Sequence, residues 1–549
     1  MFDRLLKRLC RCICRPCPEC GPPPVPGLRA PASITTRSSQ AYFAVYLRNV
    51  AGIPYDNEQL ARLSPDKLFG SEVAKKLSAI PGFRGLKLRT AFNGPLDEIR
   101  ASIRRAQANA ERVGLKRYVP LQIEQHFVIP FHRDLRVSVD VLSVLKEWAA
   151  SRQGFVRVVE PVRPAAPSNR YLDPAELGTG VVAARGVVPA WPPLPATPVP
   201  LAGAGQFVVL IERGWCPRSD VTPLALPTVP NAVESLEEGQ VLHAVATASV
   251  ILGGHRLTVI EGIAPKVSMH KALCISADQT EQLDVVAAAI RGADLWLQTH
   301  GPHGRGIILL EEQDGALKPA ESNADVHNAI QTAVANGHVV IEPAGTQLEP
   351  TVTDDQGLNA AWINTMVGEH FVSDGATPPH LTLRSAAMNP MQAWPASGAV
   401  VVAGGTPEGE LAKHRDPYSN YGDLVDAWAW GTDIRCEGVL RQPAVAIPTW
   451  VIDALPHVFG GSSGAAAIVA GVVVLMQQLR ARANLQPLTS LQVRELFAKH
   501  GTPGHSLGDL KGKRMPDLLA MLADVQTFPS IAIVPAPPVP SPQPAPGPT

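Results

Sequence analysis

Proline-rich stretches interrupt this chain and divide it into separate regions. Ten prolines lie between residues 161 and 200, nine lie between 529 and 549, and a shorter patch runs from Pro22 to Pro31. Such stretches favour extended polyproline II backbone and cannot pack a core, so they are typical of linkers and tails. They predict a cysteine-rich basic head with its proline-rich segment (1–31), an N-terminal α+β domain (38–160), a linker (161–203), a large second domain (204–527) and a tail (528–549).

Charge and composition restrict the class of protein. The 549 residues include 49 basic and 49 acidic side chains, and 45% of the chain is hydrophobic. A net charge of zero argues against nucleic acid as the main partner, because phosphate binding needs an excess of Lys and Arg. The hydrophobic content excludes a mostly disordered chain. No uninterrupted apolar run reaches the ~20 residues of a membrane helix, so we expect no transmembrane segment.

The head holds five of the eight cysteines, in the spacing Cys-x-Cys-x-Cys-x2-Cys-x2-Cys from Cys10 to Cys20. Thiolates bind zinc, but this spacing lacks the separated pairs of a zinc ribbon. A zinc site, a basic amphipathic segment on a membrane surface and a flexible head without a defined role all stay open. The other cysteines, Cys216, Cys274 and Cys436, are isolated and indicate no disulfide framework, which favours a cytoplasmic, reducing location.

The N-terminal domain mixes strand and helix patterns. The apolar-aromatic run from Tyr42 to Leu47 predicts a strand. Apolar residues recur at three- and four-residue spacing from Leu96 to Val113, which predicts an amphipathic helix. Further patterns predict extended segments at 119–131 and 155–159 and a helix at 142–151. No catalytic constellation is visible in this α+β domain.

Strands and helices alternate in the second domain, which predicts an α/β fold with a mostly parallel sheet and helices on both faces. Strands are predicted at 207–211, 295–297, 338–341 and 397–402, and helices at 241–251, 283–290 and 325–335. Active residues of such open sheets gather beyond the carboxyl ends of the strands.

Two glycines and two serines lead directly into a helix of small and aliphatic residues, in the run Phe459-Gly-Gly-Ser-Ser-Gly-Ala-Ala-Ala467. A serine at a helix N-terminus lies near free backbone N–H groups and the positive end of the dipole, which suits a nucleophile and an oxyanion. The alternative is simple N-capping of a buried helix by Ser462 or Ser463. The segment by itself does not distinguish the two.

Several segments together resemble the subtilisin-like serine peptidases (the subtilase superfamily). The run Gly461-Ser-Ser-Gly-Ala-Ala-Ala-Ile-Val-Ala-Gly471 is similar to the family's nucleophile motif Gly-Thr-Ser-x-Ala-x-Pro-x-Val-Ala-Gly. His243-Ala-Val-Ala-Thr-Ala-Ser249 and Gly262-Ile-Ala-Pro265 resemble its histidine segment, and Val209-Leu-Ile-Glu-Arg-Gly214 resembles its acidic strand. Ser419-Asn-Tyr-Gly422 adds further similarity. The resemblance spans about 204–520 in the family's order and implies a divergent member with the subtilisin-like fold.

The resemblance implies a catalytic triad of Glu212, His243 and Ser463. In such a triad a neutral imidazole takes the serine proton, and a carboxylate fixes the imidazole tautomer and stabilises the imidazolium. The family's oxyanion asparagine corresponds to Thr346, whose hydroxyl has a shorter reach, with Gln347 as a nearby alternative donor. No cofactor and no metal is expected.

This chain departs from the family motif at several positions. Glu212 stands where aspartate is usual, and Asp220 is a reserve carboxylate that is more typical of a turn. Ala244-Val245 replace the usual Gly-Thr, and Ala467 replaces a proline. These changes keep two functions open: a serine endopeptidase acting through an acyl-enzyme, or an impaired pseudoprotease that binds a peptide or protein. In both cases the substrate or partner is a polypeptide, and the oligomeric state is undetermined.

Other features receive simpler interpretations. The N-terminal domain is either a propeptide cleaved within 161–203 or a separate recognition domain. His300 and His303 lie in a Gly/Pro loop without further metal ligands at useful spacing. The pairs Glu311-Glu312 and Asp354-Asp355 are expected to be solvated loop acids, and Trp428-Ala-Trp430 is expected to pack in the core.

Overall fold

The computed structural model describes much of the chain between Tyr42 and Val534. The described residues are 42–47, 53–60, 62–83, 85–86, 88–90, 96–115, 118, 126–130, 135–150, 154–159, 201–214, 216–226, 228, 236, 238–254, 260, 262–274, 285–313, 319–345, 397–406, 416, 419–420, 424–432, 434–442, 449–504 and 512–534. All of them belong to one compact unit, residues 39–549. The predicted head, residues 161–200 of the predicted linker and the outer tail, together with Thr346, Gln347 and Asp354-Asp355, lie outside the described residues.

The elements alternate along the chain, with strands and helices numbered here in chain order. The strands are β1 (Tyr42–Leu47), β2 (Arg89–Thr90), β3 (His126–Pro130), β4 (Gly154–Val159), β5 (Phe207–Glu212), β6 (Val221–Leu224), β7 (Ser268–Leu273), β8 (Ile307–Leu310), β9 (Val339–Pro343), β10 (Val400–Gly405), β11 (Ala427–Trp430), β12 (Ile434–Gln442), β13 (Thr449–Phe459), β14 (Thr502–Pro503) and β15 (Arg514–Met515). The helices are α1 (Asn57–Leu60), α2 (Pro65–Phe69), α3 (Ser71–Ser78), α4 (Leu96–Asn109), α5 (Leu135–Ala150), α6 (Glu238–Leu252), α7 (Val285–His300), α8 (Ala324–Ala335), α9 (Gly461–Arg482), α10 (Ser490–Lys499) and α11 (Leu518–Thr527).

Nine strands form the central sheet, in the order β14-β15-β11-β10-β9-β8-β5-β7-β6. Every neighbouring pair is parallel except β14 and β15. The middle strands are continuous apolar runs, as expected when both faces of a parallel sheet are covered. The predicted α/β class, a mostly parallel sheet with helices, is therefore confirmed.

Alternate side chains of the strands enter two separate cores. Val208 and Leu210 of β5 join a core built mainly with α6 and α9. Val209 and Ile211 of the same strand join a core built with α7, α8 and the N-terminal helix α4. Successive strand residues point to opposite faces, so one apolar strand supplies both layers. The carboxyl end of β5 is thereby held between helices on either side.

The N-terminal region forms a smaller α+β unit ahead of the large sheet. Its antiparallel sheet has the order β2-β3-β1-β4. A third core joins Phe127 and Ile129 of β3 to buried residues of α5, including Leu145 and Trp148. Val128, between those two strand residues, faces the core that contains α4. This small sheet therefore packs a helix layer on each side.

Helix α4 is docked on the large sheet's helices through buried polar groups as well as apolar ones. Asp294 of α7 accepts a hydrogen bond from Ser102 of α4, and His338 Nε2 lies 3.0 Å from Asp294 Oδ1. Asn336 Nδ2 donates to Ser102 Oγ at 2.9 Å, and Arg105 Nε donates to Asn336 Oδ1 at 3.1 Å. All five side chains are buried, so the contact between the two regions includes a buried network of hydrogen bonds.

One predicted strand is part of a helix in the structure. The strand predicted at 295–297 is wrong, because Val285–His300 is one continuous helix. Its alanine-rich first half is buried, and the apolar residues at 295–297 continue the helix instead of starting a strand.

Among the described residues, α9 is long and apolar enough to span a membrane, yet its whole apolar stretch is buried inside the protein. It is therefore a core helix.

Candidate active site

The carboxyl end of β5 brings Glu212 to the edge of helix α6. Glu212 is fully buried, and its Oε1 accepts a hydrogen bond from the backbone N–H of Arg213 at 2.8 Å. Gly214 follows, where a Cβ atom would lie 1.8 Å from the carbonyl oxygen of Gln240. Only glycine permits this approach of the chain to the first turn of α6. The close contact sets the strand end beside the helix that carries His243.

Glu212 and His243 form a buried hydrogen bond. His243 Nδ1 lies 2.5 Å from Glu212 Oε2, and both side chains are essentially inaccessible to solvent. Burial lowers the pKa of His243, but the charge and hydrogen bond of Glu212, with smaller contributions from Glu311 and Glu312, outweigh it and raise the pKa to about 9. The Phe459 ring packs edge-on against the imidazole with centroids 5.3 Å apart. The carboxylate thus holds the ring and stabilises its protonated form.

Ser463 lies in the first turn of α9, which begins just after Gly460. Gly461 has a φ of +68°, and its N–H donates to Gly431 O at 2.6 Å, so the chain turns sharply before the serine. A Cβ atom on Gly464 would lie 2.5 Å from Ile434 Cδ1, so a larger residue there would require the Ile434 side chain to move. Glycines on both sides therefore place the hydroxyl at the positive end of a long helix.

Ser463 Oγ and His243 Nε2 are the two atoms that would exchange a proton in a catalytic triad. Both atoms are buried, and neither makes a hydrogen bond of normal geometry to any described residue, including one another. The Ser463 hydroxyl nevertheless lies close enough to the Glu311 carboxyl to lower the pKa of that group. Such bonds are often long or poorly aligned in the absence of substrate. The structure thus brings Glu212 and His243 into direct contact and leaves the second imidazole nitrogen and the serine hydroxyl unoccupied.

The Gly262-Ile-Ala-Pro265 segment braces the helix that carries His243. The N–H groups of Ile263 and Ala264 donate to Val250 O and Ile251 O of α6 at 3.2 and 2.8 Å. A Cβ atom on Gly471 of α9 would lie 2.7 Å from Ile263 Cβ. The same segment therefore touches both α6 and α9 and fixes the spacing of the helices that carry His243 and Ser463.

The loop expected to supply the oxyanion donor begins beyond β9. Asn420 holds it, because its side-chain amide donates to Ala344 O at 2.9 Å and its backbone N–H donates to Gly345 O at 3.0 Å. Thr346, the predicted donor, and Gln347 follow directly and lie outside the described residues. The Ser419-Asn420 motif is therefore placed to hold the start of this loop.

The structure overturns the interpretation of Glu311-Glu312 as solvated acids. Both residues are fully buried at the carboxyl end of β8, the neighbour of β5. Arg213 Nε donates to Glu312 Oε1 at 3.1 Å, and the Cys274 thiol donates to the same oxygen at 3.0 Å. Burial raises the pKa of Glu312 to about 7 against the opposing charge of Arg213. The pair follows an apolar strand directly, which is the sequence signal that could have identified it.

Asp220 takes no part in the site. Its carboxylate pairs with Arg218, with Nη2 to Oδ2 at 2.7 Å, and it is about 38% exposed. Arg218 also pairs with the buried Glu437 of β12. This finding agrees with the interpretation of Asp220 as a turn residue, since its oxygens are bound to a guanidinium outside the Glu212–His243 pair.

The other expected side chains are also located by the structure. Trp428 is buried in β11, as expected for a core residue. His300 Nδ1 lies 2.9 Å from Trp296 O, and the two rings stack with centroids 4.5 Å apart. Within the described part of the chain, no group of three or more His, Cys, Asp or Glu residues could hold a metal ion.

No protein-family model and no curated protein matches the chain. Among solved structures, the patellamide maturation protease PatA is 17% identical, with 59% of this chain and 97% of PatA covered at a TM-score of 0.38. The prenylagaramide maturation protease PagA is 17% identical, with 58% and 93% covered at 0.36. Fervidolysin from Fervidobacterium pennivorans, a keratinolytic enzyme related to subtilisin, is 15% identical, with 79% and 60% covered at 0.44. These similarities are too low to carry function, so function must be argued from the residues of this chain.

Proposed function

We propose that this chain is a serine endopeptidase, a divergent subtilisin-like enzyme that hydrolyses peptide bonds through an acyl-enzyme. The observation that carries the proposal is the buried Glu212–His243 hydrogen bond, with the second imidazole nitrogen free and Ser463 in the first turn of α9. A carboxylate, an imidazole and a serine at a helix N-terminus are the three groups that this chemistry needs.

Each group has a defined task in the proposed reaction. Ser463 Oγ attacks the scissile carbonyl carbon, and its proton passes to His243 Nε2. Glu212 holds Nδ1–H and stabilises the imidazolium. The imidazolium then gives the proton to the leaving amine, and water hydrolyses the ester by the same route. Because the pKa of His243 is raised to about 9, the neutral base becomes more available as the pH rises toward that value.

The remaining assignments belong to the same proposal. Thr346 is the proposed donor to the oxyanion, a polypeptide is the proposed substrate, and the cytoplasm is the proposed location. The described backbone just before Thr346 is held by Asn420, whose side-chain amide donates to Ala344 O. A threonine hydroxyl reaches less far than an asparagine amide, and loss of an oxyanion donor costs about 10²–10³ in rate in template enzymes.

An impaired peptide- or protein-binding module is the second candidate. Two observations favour it: Ser463 Oγ and His243 Nε2 make no hydrogen bond with one another, and the imidazole holds its proton at neutral pH. A protonated imidazole cannot accept the serine proton. In this alternative the same cleft would bind a polypeptide without cleaving it efficiently.

Covalent labelling with a fluorophosphonate separates the two candidates. We expect the full chain to be labelled on Ser463 at pH 8 to 9, with labelling lost in Ser463→Ala. The neighbouring Ser462→Ala variant is the matched control and should still be labelled. A folded wild-type chain that stays unlabelled over the whole range from pH 6 to 10 would contradict the peptidase and favour the binding module.

A further inference from the structure

One buried carboxyl at the site has no assigned task. The backbone N–H of Glu311 donates to Ile211 O at 3.1 Å, so Glu311 starts directly beside Glu212. Its side chain is fully buried at the carboxyl end of β8. Within the described residues, neither carboxyl oxygen makes a hydrogen bond of normal geometry. Glu312, the next residue, is by contrast bound by Arg213 and Cys274.

A buried carboxylate without partners is costly, because its ionised form loses its hydration and gains nothing in exchange. A protonated carboxyl is far less costly and offers one O–H donor and one carbonyl acceptor. A peptide group offers the complementary acceptor and donor. The unpartnered Glu311 carboxyl is therefore suited to a peptide bond in the adjacent site.

The charges around Glu311 favour its protonated form. Ionisable groups on each of the packed elements contribute to its surroundings: Glu212 and Arg213 at β5, His243 on α6, Cys274 after β7, and Glu312. Burial raises the pKa of Glu311, the positive charge of His243 and the Ser463 hydroxyl lower it, and Glu212 and Glu312 raise it, with a result of about 8. The carboxyl therefore keeps its proton at neutral pH.

We propose that Glu311 is a further catalytic residue, whose protonated carboxyl donates a hydrogen bond to the oxygen of the scissile carbonyl. This rests on the proposed peptidase function. As the bond from Ser463 Oγ to the carbonyl carbon forms, the π electron pair moves onto the carbonyl oxygen and the serine proton passes to His243. The new oxyanion accepts the hydrogen bond from Glu311, which keeps its own proton throughout. Glu311 thereby supplements the short reach of Thr346.

Rates of fluorophosphonate labelling between pH 6 and 10 test this role in the full chain. Wild-type labelling should rise as His243 loses its proton and fall as Glu311 ionises, with a maximum near pH 8 to 9. Glu311→Gln keeps a neutral donor, so its rate should stay within about 3-fold of wild type at pH 7. Its rate should continue to rise above pH 9, where wild type falls. Glu311→Ala removes the donor and should label roughly 100-fold more slowly.

Each result decides the matter. Glu311→Ala labelling at the wild-type rate would overturn the inference, as would a Glu311→Gln profile that falls above pH 9 as wild type does. If Glu311→Ala fails to fold, the Glu311→Gln profile alone decides. Failure of wild type itself to label contradicts the peptidase function, whereas labelled wild type with unaltered Glu311 variants contradicts only the role of Glu311.

Discussion

Burial changes the chemistry of four neighbouring side chains in this site. Glu212 and Glu312 have hydrogen-bond donors, whereas Glu311 has none among the described residues. His243 is held by Glu212 and surrounded by carboxyls, so its pKa is raised despite its burial. The pH dependence of the proposed reaction therefore follows from this cluster and differs from that of an isolated histidine.

The charge of Glu212 should control both the pH dependence and the rate of the proposed reaction. In Glu212→Gln the pKa of His243 falls, because the charge that raises it is gone, and the maximum of the labelling rate should move to lower pH. The rate at that maximum should fall by about 10²–10⁴, since the imidazolium is no longer stabilised. Glu212→Asp is the matched control, which keeps the charge and should keep a maximum near that of wild type. An unshifted maximum in Glu212→Gln would refute this account.

Close approaches between elements bring the site residues together. Gly214 lets β5 meet α6, and Gly471 lets α9 meet the segment after Gly262. At Gly262 itself, a Cβ atom would lie 2.1 Å from the backbone N of Gly253, at the end of α6. The contacts at Gly214 and Gly262 are with backbone, which cannot move aside as a flexible side chain can. Element spacing in this region therefore depends on the absence of a side chain.

Gly262→Ala should accordingly be strongly destabilising. The added methyl group must displace the end of α6, so we expect a loss of about 2–4 kcal/mol in the free energy of unfolding and slower labelling of Ser463. Gly239→Ala, in the first turn of α6, meets no atom within 4 Å and should be neutral or slightly stabilising. Urea unfolding of both variants measures the difference, and equal stabilities would show that the Gly262 contact is unimportant.

The whole molecule joins its N-terminal α+β unit to the large sheet through a buried interface. Ile99, Ile103 and Ala106 of α4 share a core with α7 and α8, and Asn109 binds the C-terminal segment, with Val534 N donating to its Oδ1 at 2.8 Å. Separation would expose apolar residues and remove the hydrogen bonds that Ser102 and Arg105 of α4 make to Asp294 and Asn336. The N-terminal unit is thereby predicted to stay bound even when the chain between the regions is cut.

A sequence-specific protease site inserted between residues 165 and 195 tests this. After cleavage, the two fragments should coelute in size-exclusion chromatography. Ala106→Arg places a charge in the buried face of α4 and should release the N-terminal fragment. Ala108→Arg, on the exposed face of the same helix, should not. Fragments of the unaltered sequence that separate spontaneously would instead favour a releasable propeptide.

The stability of the whole chain should also depend on a buried pair of acids. Glu321 N donates to Glu342 Oε2 at 3.3 Å, and both side chains are buried. Burial raises both pKa values, that of Glu321 to about 7, the charge of Glu321 raises the pKa of Glu342 further, and the nearby charge of Asp426 raises both. A folded state that holds more protons than the unfolded chain loses stability as the pH rises. This contribution is present at pH 4 and lost between about pH 4.5 and 7.

Glu342→Gln removes one ionisation and should lessen that loss. Relative to wild type, the variant should gain unfolding free energy as the pH rises from 5 to 8, because it lacks one of the two groups whose ionisation destabilises the fold. Urea denaturation at the two pH values measures this change. The exposed Glu72→Gln is the control and should follow wild type. A constant difference between Glu342→Gln and wild type at both pH values would mean that the pair does not titrate in this range.

Local sequence by itself determined the type of most elements and the residues of the candidate triad. The strand at 207–212, the helices that carry His243 and Ser463, and the α+β pattern of the N-terminal region all follow from short-range apolar periodicity and glycine or proline punctuation. These patterns involve residues that are close together in the sequence, so they can be recognised without knowledge of the fold.

Only the tertiary structure decided which side chains are buried from solvent. The sequence predicts that Glu311 and Glu312 are exposed acids, yet strand pairing places them, buried, beside Glu212. Residues 295–297 read as a strand, yet they continue α7. The physical reason is the same in both cases: burial and pairing depend on segments up to hundreds of residues apart. A local pattern therefore indicates the chemistry that a side chain is capable of. Its neighbours in the folded structure decide whether it is protonated and whether it is hydrogen-bonded.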